Sequence, residues 1–372
     1  MNIASAPDAL PVEHELCRPQ YEDACVTNVV PALLRRRARA WLPEEVARAP
    51  VRVLLVIDGL GWEQLAPRRE RLPTLAAMRG RDITTVAPST TAAALSSIAT
   101  GRAPAEHGIL GYHMRVEGEV MNALRWTIDG RDVRERLDPA VIQPIPPFLG
   151  EAPPVVSKLE LAGSGFSRAS LRGARYHGYK VVSSLAVDVG ALARARHEFI
   201  YAYYDGVDRV AHQHGLFAHY DAELRFVDGL VRDVLTALPT GAALVVTADH
   251  GHVQVGDAVV TLHEDVTRRA DGLSGEARFL WLHARPGRAP ELLEAARARH
   301  GQQAWCWSRE QVLDEGLLGP TTRDGVARRC GDVALLSRGR CTLVPDALDI
   351  KQGLHGALTP AEMRVPLLYA IA

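Results

Sequence analysis

Three short apolar segments constrain the fold of this chain most strongly. Residues 51–57 (VRVLLVI), 198–204 (EFIYAYY) and 242–247 (AALVVT) consist mainly of aliphatic and aromatic side chains. Such segments are typical of strands that are buried on both faces of a parallel sheet. The sequence therefore predicts an α/β fold in which a central, mostly parallel sheet is flanked by helices. Further strands are predicted over residues 83–86, 180–186 and 365–370.

The first two segments lead into acidic residues. Asp58 follows the first segment directly, and Asp208 and His212 lie just beyond the second. Open α/β sheets bind their ligands at the carboxyl ends of the strands. Because Asp208 and His212 are four residues apart, one helical turn or a compact loop directs both side chains at one point. Carboxylate and imidazole together suit Zn²⁺ or Mn²⁺, although an Asp-Gly pair alone is more typical of an ordinary turn.

The third segment leads into Asp249-His250-Gly251-His252. Adjacent residues of a strand point to opposite faces, so Asp249 and His250 can bind one ion together only if the backbone turns at the strand end. Gly251 makes such a turn possible. The spacing alone does not distinguish this pair from a surface turn.

The segment Ala87–Gly101 (APSTTAAALSSIATG) combines a proline, three hydroxyl residues and a helix-forming stretch. This order predicts that Ser89, Thr90 and Thr91 lie at a helix N-terminus. One interpretation is an ordinary N-cap, which is the common role of Ser or Thr before a helix. The other is a nucleophile or anion site, because unpaired N–H groups and the helix dipole favour a phosphate there.

Composition excludes several classes of protein. Of the 372 residues 47% are hydrophobic and 23% are charged, the proportions of a soluble globular protein. A formal net charge of −1 gives no field that would attract nucleic acid or an anionic membrane, so we expect neither as a partner. The five cysteines show no C-x-x-C spacing, and we find no signal-peptide pattern and no apolar run of membrane length. We therefore expect reduced thiols and a cytoplasmic location.

The later part of the chain predicts additional structure without obvious chemistry. An Arg-rich region over residues 258–340 alternates a strand (279–283), a helix (290–300) and a returning strand (331–336), which indicates an inserted or appended smaller α/β lobe. Residues 220–238 carry apolar side chains at helical spacing and predict an amphipathic helix. His107 and His113 are interpreted as surface or packing residues.

Taken together, the motifs IDGLG, PSTTAAALSSIATG, D-x-x-x-H-x-x-G, TADHG and LHG resemble the alkaline phosphatase superfamily. Within it the likeness is to the nucleotide pyrophosphatase/phosphodiesterase branch. The motifs occur in the order of that family and extend from Asp58 to His355. The resemblance implies one alkaline-phosphatase-like catalytic domain over residues 1–372, with residues 258–340 as a possible lobe within it.

The resemblance also implies a site with two divalent metal ions, zinc in the first place and manganese as an alternative. Thr91 matches the nucleophile of the family, since it lies three residues after Pro88 and nine before Thr100. The residues that match the ligands of one metal are Asp58, Thr91, Asp249 and His250, and those that match the ligands of the second are Asp208, His212 and His355.

The implied function is a metal-dependent phosphodiesterase or nucleotide pyrophosphatase that forms a phosphothreonine intermediate on a small phosphoester, possibly a nucleotide. Ala94 replaces the asparagine that the family pattern places three residues after the nucleophile, and the sulfatase pattern C-x-P-x-R is absent. The alternatives are a phosphomonoesterase, a phosphonate hydrolase and an inactive metal-binding module. We expect diesters to be preferred, because the motifs contain no arginine for a monoester dianion, unless Arg168 or Arg172 supplies one.

Overall fold

A computed structural model describes residues 16–345 and 351–372 and contains a seven-stranded central sheet. Five consecutive strands of this sheet pair in parallel, and Arg364–Ile371 runs antiparallel to both of its neighbours. The sheet is therefore mostly parallel, as predicted. Its strands, in spatial order, are Arg79–Thr84, Arg364–Ile371, Ala243–Thr247, Arg52–Ile57, Phe199–Tyr204, Pro154–Lys158 and Arg175–Tyr179.

The three apolar segments occupy adjacent positions in the middle of this sheet. Every residue of Arg52–Ile57, Phe199–Tyr204 and Ala243–Thr247 is buried. Their register pairs Ile57 with Tyr204 and Val56 with Thr247. Because the three strands are parallel and end at nearly the same level, the residues that follow them meet at one edge of the sheet.

Two sequence-based boundaries differ from the structure. The strand predicted over residues 180–186 is wrong, since Arg175–Tyr179 is the strand and Ser183–Arg194 is a helix. Leu185, Val189 and Ala193 are buried at intervals of four residues, so a helical face covers this part of the sheet. The strand predicted over 83–86 lies over Arg79–Thr84.

Helices cover the central sheet and connect its strands. The amphipathic helix predicted over residues 220–238 is confirmed as Ala218–Ala237, which packs against Ser183–Arg194. None of the described helices combines the length and the apolar character that a membrane crossing requires. The α-helices are Val29–Leu34, Glu44–Ala47, Trp62–Leu65, Pro73–Ala77, Thr91–Thr100, Pro104–His107, Pro139–Ile142, Gly165–Ser170, Ser183–Arg194, Gly206–His214, Ala218–Ala237, Glu264–Thr267, Ala289–His300, Arg309–Asp314 and Pro360–Met363.

A second, eight-stranded sheet is antiparallel throughout. Four of its strands come from the segment predicted as a smaller lobe, and four come from residues 113–132. The two groups join where His113 pairs with Gly275. The strands in spatial order are Ala304–Ser308, Val333–Ser337, Phe279–Ala284, Ala270–Glu276, His113–Val116, Glu119–Asn122, Thr127–Ile128 and Arg131–Asp132.

Short elements complete the described chain. Two pairs of strands lie outside the two large sheets: Val253–Gln254 pairs with Gly353–Leu354, and Val259–Thr261 pairs with Thr342–Val344. The first pair brings the region after His252 against the segment that leads to His355. The 3₁₀ helices are Val26–Asn28, Ala66–Arg71, Pro147–Gly150, Leu159–Leu161 and Val326–Arg329.

Candidate metal centre

The aspartates after the three central strands meet at the carboxyl edge of the sheet. The backbone N–H of Asp58 donates to Tyr204 O over 2.8 Å, which extends the strand pairing by one step. The N–H of Asp208, in the first turn of the helix Gly206–His214, donates to Asp58 O over 3.1 Å. Gly59 N–H donates to Asp249 Oδ1 over 3.0 Å. Backbone hydrogen bonds therefore tie the three acidic positions to one another.

Asp58, Asp249 and His250 form a first cluster whose ligand atoms lie within 4.8 Å of one another. His250 Nε2 is 3.3 Å from Asp58 Oδ1 and 3.5 Å from Asp249 Oδ2. Thr91 Oγ1 lies 3.1 Å from the same His250 nitrogen. The structure thus brings together the four residues that the resemblance groups around one metal.

Asp208, His212 and His355 form a second cluster with the same 4.8 Å spread. Asp208 Oδ1 is 3.2 Å from His212 Nε2 and 3.7 Å from His355 Nε2. The rings of His250 and His355 stack with their centroids 3.6 Å apart. The two clusters are therefore neighbours at one end of the sheet.

Three histidines have their orientation fixed by backbone carbonyls. His212 Nδ1 lies 2.7 Å from Gly353 O, His250 Nδ1 lies 3.1 Å from Gly251 O, and His355 Nδ1 lies 3.0 Å from Ser89 O. A carbonyl oxygen can only accept, so in each pair Nδ1 carries the proton and donates it. The lone pair of each Nε2 is then directed at the clusters, which is the arrangement of metal-binding histidines in proteins.

In Asp249 and Asp58, one carboxylate oxygen accepts hydrogen bonds and the other accepts none. Asp249 Oδ1 accepts the N–H groups of Gly59 and His250, and the Tyr203 hydroxyl donates to Asp58 Oδ2. Among residues 16–345 and 351–372, no hydrogen-bond partner exists for Asp58 Oδ1, Asp208 Oδ1 or Asp249 Oδ2, all of which are buried. Unpaired buried carboxylate oxygens are costly unless a cation neutralises them. The donor set therefore fits divalent metal ions.

Protonation in the metal-free protein reflects this crowding. Burial, with the charges of Asp249 and Asp208 added, raises the pKa of Asp58 well above its usual value, and burial raises the pKa of Asp249 to about 7. Burial lowers the pKa of His212 to about 4. The His212 imidazole is therefore in its neutral, metal-binding form, and the Asp58 and Asp249 carboxyls hold protons that a cation would displace. Asp208 differs, because His212, His252 and His355 hold the pKa of its carboxyl well below the usual value despite its burial.

Thr91 is the first residue of the helix Thr91–Thr100, and Thr90 holds the N-cap position. The Thr90 side chain makes no capping hydrogen bond, and the Thr91 hydroxyl contacts His250 rather than a backbone N–H. The hydroxyl group at the start of this helix thus faces the first cluster. Ala94, three residues later, is fully buried in the apolar core.

His252 lies at the centre although the sequence analysis gave it no role. Its Nε2 is 3.2 Å from Asp208 Oδ1, and its ligand atom shares a 4.8 Å cluster with those of Asp208 and His250. Neither ring nitrogen has a hydrogen-bond partner within the described chain. A Cβ atom at Gly59 would lie 2.5 Å from His252 Nε2, so glycine at this position makes room for the ring. The alternation in Asp-His-Gly-His was the available signal.

Glu276 is a second residue that sequence reasoning missed. It ends a strand of the second sheet, and its Oε2 lies 3.9 Å from His355 Nδ1. Its Oε1 accepts the Tyr112 N–H over 3.2 Å, and burial raises its pKa to about 8. No local motif marks Glu276, because only the packing of the second sheet against the first brings it here.

The two arginines considered for a monoester dianion are engaged elsewhere or exposed. The Arg172 guanidinium donates to the carbonyls of Gln143, Ile145 and Ala169, and Arg168 is exposed beside Asp132. Within residues 16–345 and 351–372, no arginine forms a hydrogen bond or ion pair with any of the seven predicted site residues. His107 is buried with its Nε2 2.8 Å from Ser97 Oγ, consistent with a packing role.

A mostly parallel sheet with Asp and His clusters at its carboxyl edge defines an alkaline-phosphatase-like hydrolase. The model of the type I phosphodiesterase/nucleotide pyrophosphatase family matches residues 52–357, and the chain belongs to that family. The resemblance stated from the sequence is thereby confirmed. Family membership makes the protein a phosphoester hydrolase, and the family depends on metal ions.

Solved structures show the same fold at low sequence identity. Murine ectonucleotide pyrophosphatase/phosphodiesterase 5 aligns with a TM-score of 0.62 at 15% identity over 85% of this chain and 87% of that chain. The human enzyme of the same name aligns with a TM-score of 0.64 at 14% identity over 85% and 87%. Phosphonoacetate hydrolase from Sinorhizobium meliloti 1021, in complex with phosphonoformate, gives 0.62 at 20% identity over 86% and 90%. No curated protein sequence matches the chain.

Metal affinity should increase from about pH 6 to about pH 8. The Asp249 carboxyl, whose pKa is about 7 in the metal-free protein, must lose its proton when an ion binds. Titration calorimetry of metal-free protein in buffers of different ionisation enthalpy measures both the dissociation constant and the protons released. A repeat titration of protein already saturated with metal, in which Asp249 has no proton left to lose, is the matched control. Binding that is equally tight at both pH values and releases no proton contradicts this assignment.

Proposed function

We propose that this protein is a two-metal phosphodiesterase or nucleotide pyrophosphatase that uses Thr91 as its nucleophile. The observation that carries the proposal is the position of the Thr91 hydroxyl at a helix N-terminus, 3.1 Å from His250 Nε2 and beside two metal-ligand clusters. A pure capping residue would instead contact a backbone N–H.

Each of the two clusters is proposed to bind one metal ion. Asp58, Asp249 and His250, together with Thr91, hold one ion, and Asp208, His212 and His355 hold the other. Bound divalent ions supply Lewis-acid stabilisation of the phosphoryl oxygens and lower the pKa of the attacking hydroxyl. We propose zinc, with manganese as the alternative, because imidazole and carboxylate ligands suit both metals.

The chain itself supplies orientation and charge stabilisation. The first N–H groups of a helix lack intrahelical partners, so those at the start of Thr91–Thr100 can bind phosphoryl oxygens as negative charge develops. His250 Nε2 faces the Thr91 hydroxyl because its Nδ1–H is held by Gly251 O. The neighbouring Ser89 hydroxyl donates to Ala357 O over 2.7 Å and fixes the segment that precedes the nucleophile.

The proposed reaction has two displacements. In the first, the Thr91 Oγ–phosphorus bond forms, the ester P–O bond breaks, the hydroxyl proton leaves to solvent, and the departing alcohol group takes up a proton. In the second, the oxygen of a water molecule forms a bond to the phosphorus of the Thr91 adduct, the Thr91 Oγ–phosphorus bond breaks, one proton of the water returns to Thr91 Oγ, and the other stays on the product or leaves to solvent. The products are free Thr91 and a phosphate monoester, which is a nucleoside monophosphate if the substrate is a nucleotide diester or pyrophosphate.

A preference for diesters follows from the charges around the centre. A monoester carries one more negative charge, which requires cationic partners beyond two metals. No arginine of the described chain contacts the predicted ligands, and the buried carboxyl of Glu276 lies beside His355. Burial raises the pKa of Glu276 to about 8, and Lys351 acts as a positive charge on Glu276 and His212, so the diester preference rests on the absence of an arginine that contacts the predicted ligands.

The same scaffold retains three alternatives. Phosphomonoester and phosphonate hydrolysis would use the same clusters, and the Sinorhizobium meliloti enzyme shows that a phosphonate can bind to this fold. An inactive metal-binding module is disfavoured because all seven predicted site residues converge.

We also propose a cytoplasmic location, which the buried free thiols of Cys25, Cys306 and Cys330 support.

Purified protein should contain close to two transition-metal ions per chain by elemental analysis, because two ligand clusters lie side by side. His212→Ala should lower the content towards one ion, whereas Asp58→Asn should remove the other. A wild-type content at or below one ion per chain, even after incubation with Zn²⁺ or Mn²⁺, would contradict the two-metal assignment.

Thr91→Ala should lose turnover by several orders of magnitude while it keeps its metal, because it lacks the attacking oxygen. Thr90→Ala is the matched control, since Thr90 is the adjacent hydroxyl and its Oγ1 has no hydrogen-bond partner in the described chain. Acid quench of the wild type during turnover of a diester, followed by mass spectrometry, should place on Thr91 one phosphoryl group that still carries its remaining ester substituent. An active Thr91→Ala with an inactive Thr90→Ala would move the nucleophile by one residue.

Bis(4-nitrophenyl) phosphate should have a larger kcat/KM than 4-nitrophenyl phosphate at the same pH and metal concentration, because no arginine of the described chain contacts the predicted ligands to bind a dianion. A nitrophenyl phosphonate in the same panel tests the phosphonate alternative. Monoester turnover that is faster by tenfold, about 1.4 kcal/mol in transition-state stabilisation, would show that the phosphodiesterase assignment is wrong even with the metal site intact.

A further inference from the structure

An ion pair between Arg278 and Glu362 is buried at the junction of the two sheets. Both side chains are fully buried, with Arg278 Nε 2.6 Å from Glu362 Oε1 and Nη2 2.9 Å from Oε2. Arg278 lies in the turn between the strands Ala270–Glu276 and Phe279–Ala284 of the second sheet. Glu362 lies in the helix Pro360–Met363, which leads directly into a strand of the central sheet. The pair therefore joins the two sheets through a two-pronged contact.

The Glu362 carboxylate continues this contact into the loop that carries His355. Its Oε1 accepts the N–H of Ala357 over 2.9 Å, and its Oε2 accepts the hydroxyl of Thr359 over 2.5 Å. The same loop is tied to Ser89, whose hydroxyl accepts the N–H of Gly356 over 3.1 Å. Glu362 thus holds the loop that positions His355 next to the segment that carries the nucleophile.

The backbone of Glu362 also contacts the turn that carries His250. Glu362 O accepts the N–H of Gly251 over 2.9 Å, directly after His250. A Cβ atom at Gly251 would lie 2.1 Å from Ala361 O, so glycine is needed for this close approach. One short helix therefore contacts the turns that carry both His250 and His355.

Stability alone is a poor reason for such a pair. Removing two charges from water costs several kcal/mol each, and apolar side chains of similar volume often serve a fold as well or better. What an apolar pair lacks is the set of directional hydrogen bonds that Glu362 makes to Arg278, Ala357 and Thr359. A fully satisfied network of this kind fixes one geometry.

We propose that Arg278 and Glu362 are positioning residues, which hold the ligands His250 and His355 in their metal-binding arrangement before any ion arrives. The proposal rests on the proposed function, since it takes these histidines as ligands of two metals. It makes the second sheet part of the metal centre, although that sheet contributes none of the seven predicted site residues. Outer partners of metal ligands typically change metal affinity by about 10-fold to 100-fold.

Glu362→Gln and Arg278→Lys test the proposal through metal affinity. Glu362→Gln keeps the size of the side chain but loses its charge, and Arg278→Lys keeps the charge but loses the two-pronged contact. We expect each folded variant to bind Zn²⁺ at least about tenfold more weakly than the wild type, and the visible absorption spectrum of bound Co²⁺ to change. Unchanged dissociation constants and an unchanged Co²⁺ spectrum in a folded variant would overturn the proposal.

Asp332→Asn is the matched control. It breaks the ion pair between Arg309, the first residue of the helix Arg309–Asp314, and Asp332, which directly precedes the strand Val333–Ser337 of the second sheet. Within the described chain, neither side chain forms a hydrogen bond or ion pair with the loops of His250 or His355. This variant is expected to keep the wild-type dissociation constant even if it melts at a lower temperature. An equal loss of affinity in Asp332→Asn would show that general loosening of the second sheet, and not the pair, weakens the metal site.

Amide hydrogen exchange of the metal-free wild type provides a second measurement that needs no variant. The Gly251 and Ala357 amides, which donate to Glu362, should be protected without metal. Exchange at these two amides as fast as in exposed loops would overturn the proposal even if neither single variant folds. Wild-type protein that binds no metal would refute the proposed function instead, and the exchange result would still show whether the pair holds the two turns.

Discussion

The concentration of negative charge at one edge of the central sheet is the constraint on which the rest of this structure depends. Asp58, Asp208 and Asp249 each leave one buried carboxylate oxygen without a hydrogen-bond partner in the described chain. Such oxygens are costly unless a cation or a proton neutralises them, and the raised pKa values of Asp58 and Asp249 reflect that cost in the metal-free protein. The surrounding features meet that requirement. Three histidines direct Nε2 at the clusters, and glycines allow the turns to approach one another closely. Backbone hydrogen bonds hold these turns together against the repulsion between the carboxylates.

The fold could be predicted where the sequence signal is local. The strands Arg52–Ile57, Phe199–Tyr204 and Ala243–Thr247 were identified from continuous apolar segments, because burial on both faces removes polar alternation. The prediction was wrong over residues 180–186, because the β-branched Val181 and Val182 directly before the helix Ser183–Arg194 favour a strand when this short segment is considered alone. The pairing of His113 with Gly275 was not predictable, because no local pattern encodes contact between segments so far apart in the chain.

The same division applies to the candidate centre. The seven predicted site residues lie in short motifs at strand ends or beside glycines, so the sequence together with the family resemblance identified them, and the structure places them in two adjacent clusters. His252 had only an alternating spacing to mark it. Glu276 and Arg278 had no signal, since a buried carboxyl or arginine far from a motif looks like any surface charge until the packing of the second sheet is known. Glu362 had only the Thr-x-x-Glu pattern of a helix start, which does not indicate a partner in the second sheet.

Site residues in short motifs can be identified from sequence, whereas residues brought in by packing cannot. This difference explains why substrate class is harder to infer than reaction type. The reaction depends on metal ligands and a nucleophile, which a parallel sheet delivers at its carboxyl edge and which short motifs record. Substrate preference depends on the groups around that centre, and two of them come from the turn region of the antiparallel sheet: Glu276 lies beside His355, and Arg278, two residues later, is paired with Glu362. A change in the turn that carries Glu276 and Arg278 can therefore alter both the charge presented to a substrate and the placement of two metal ligands.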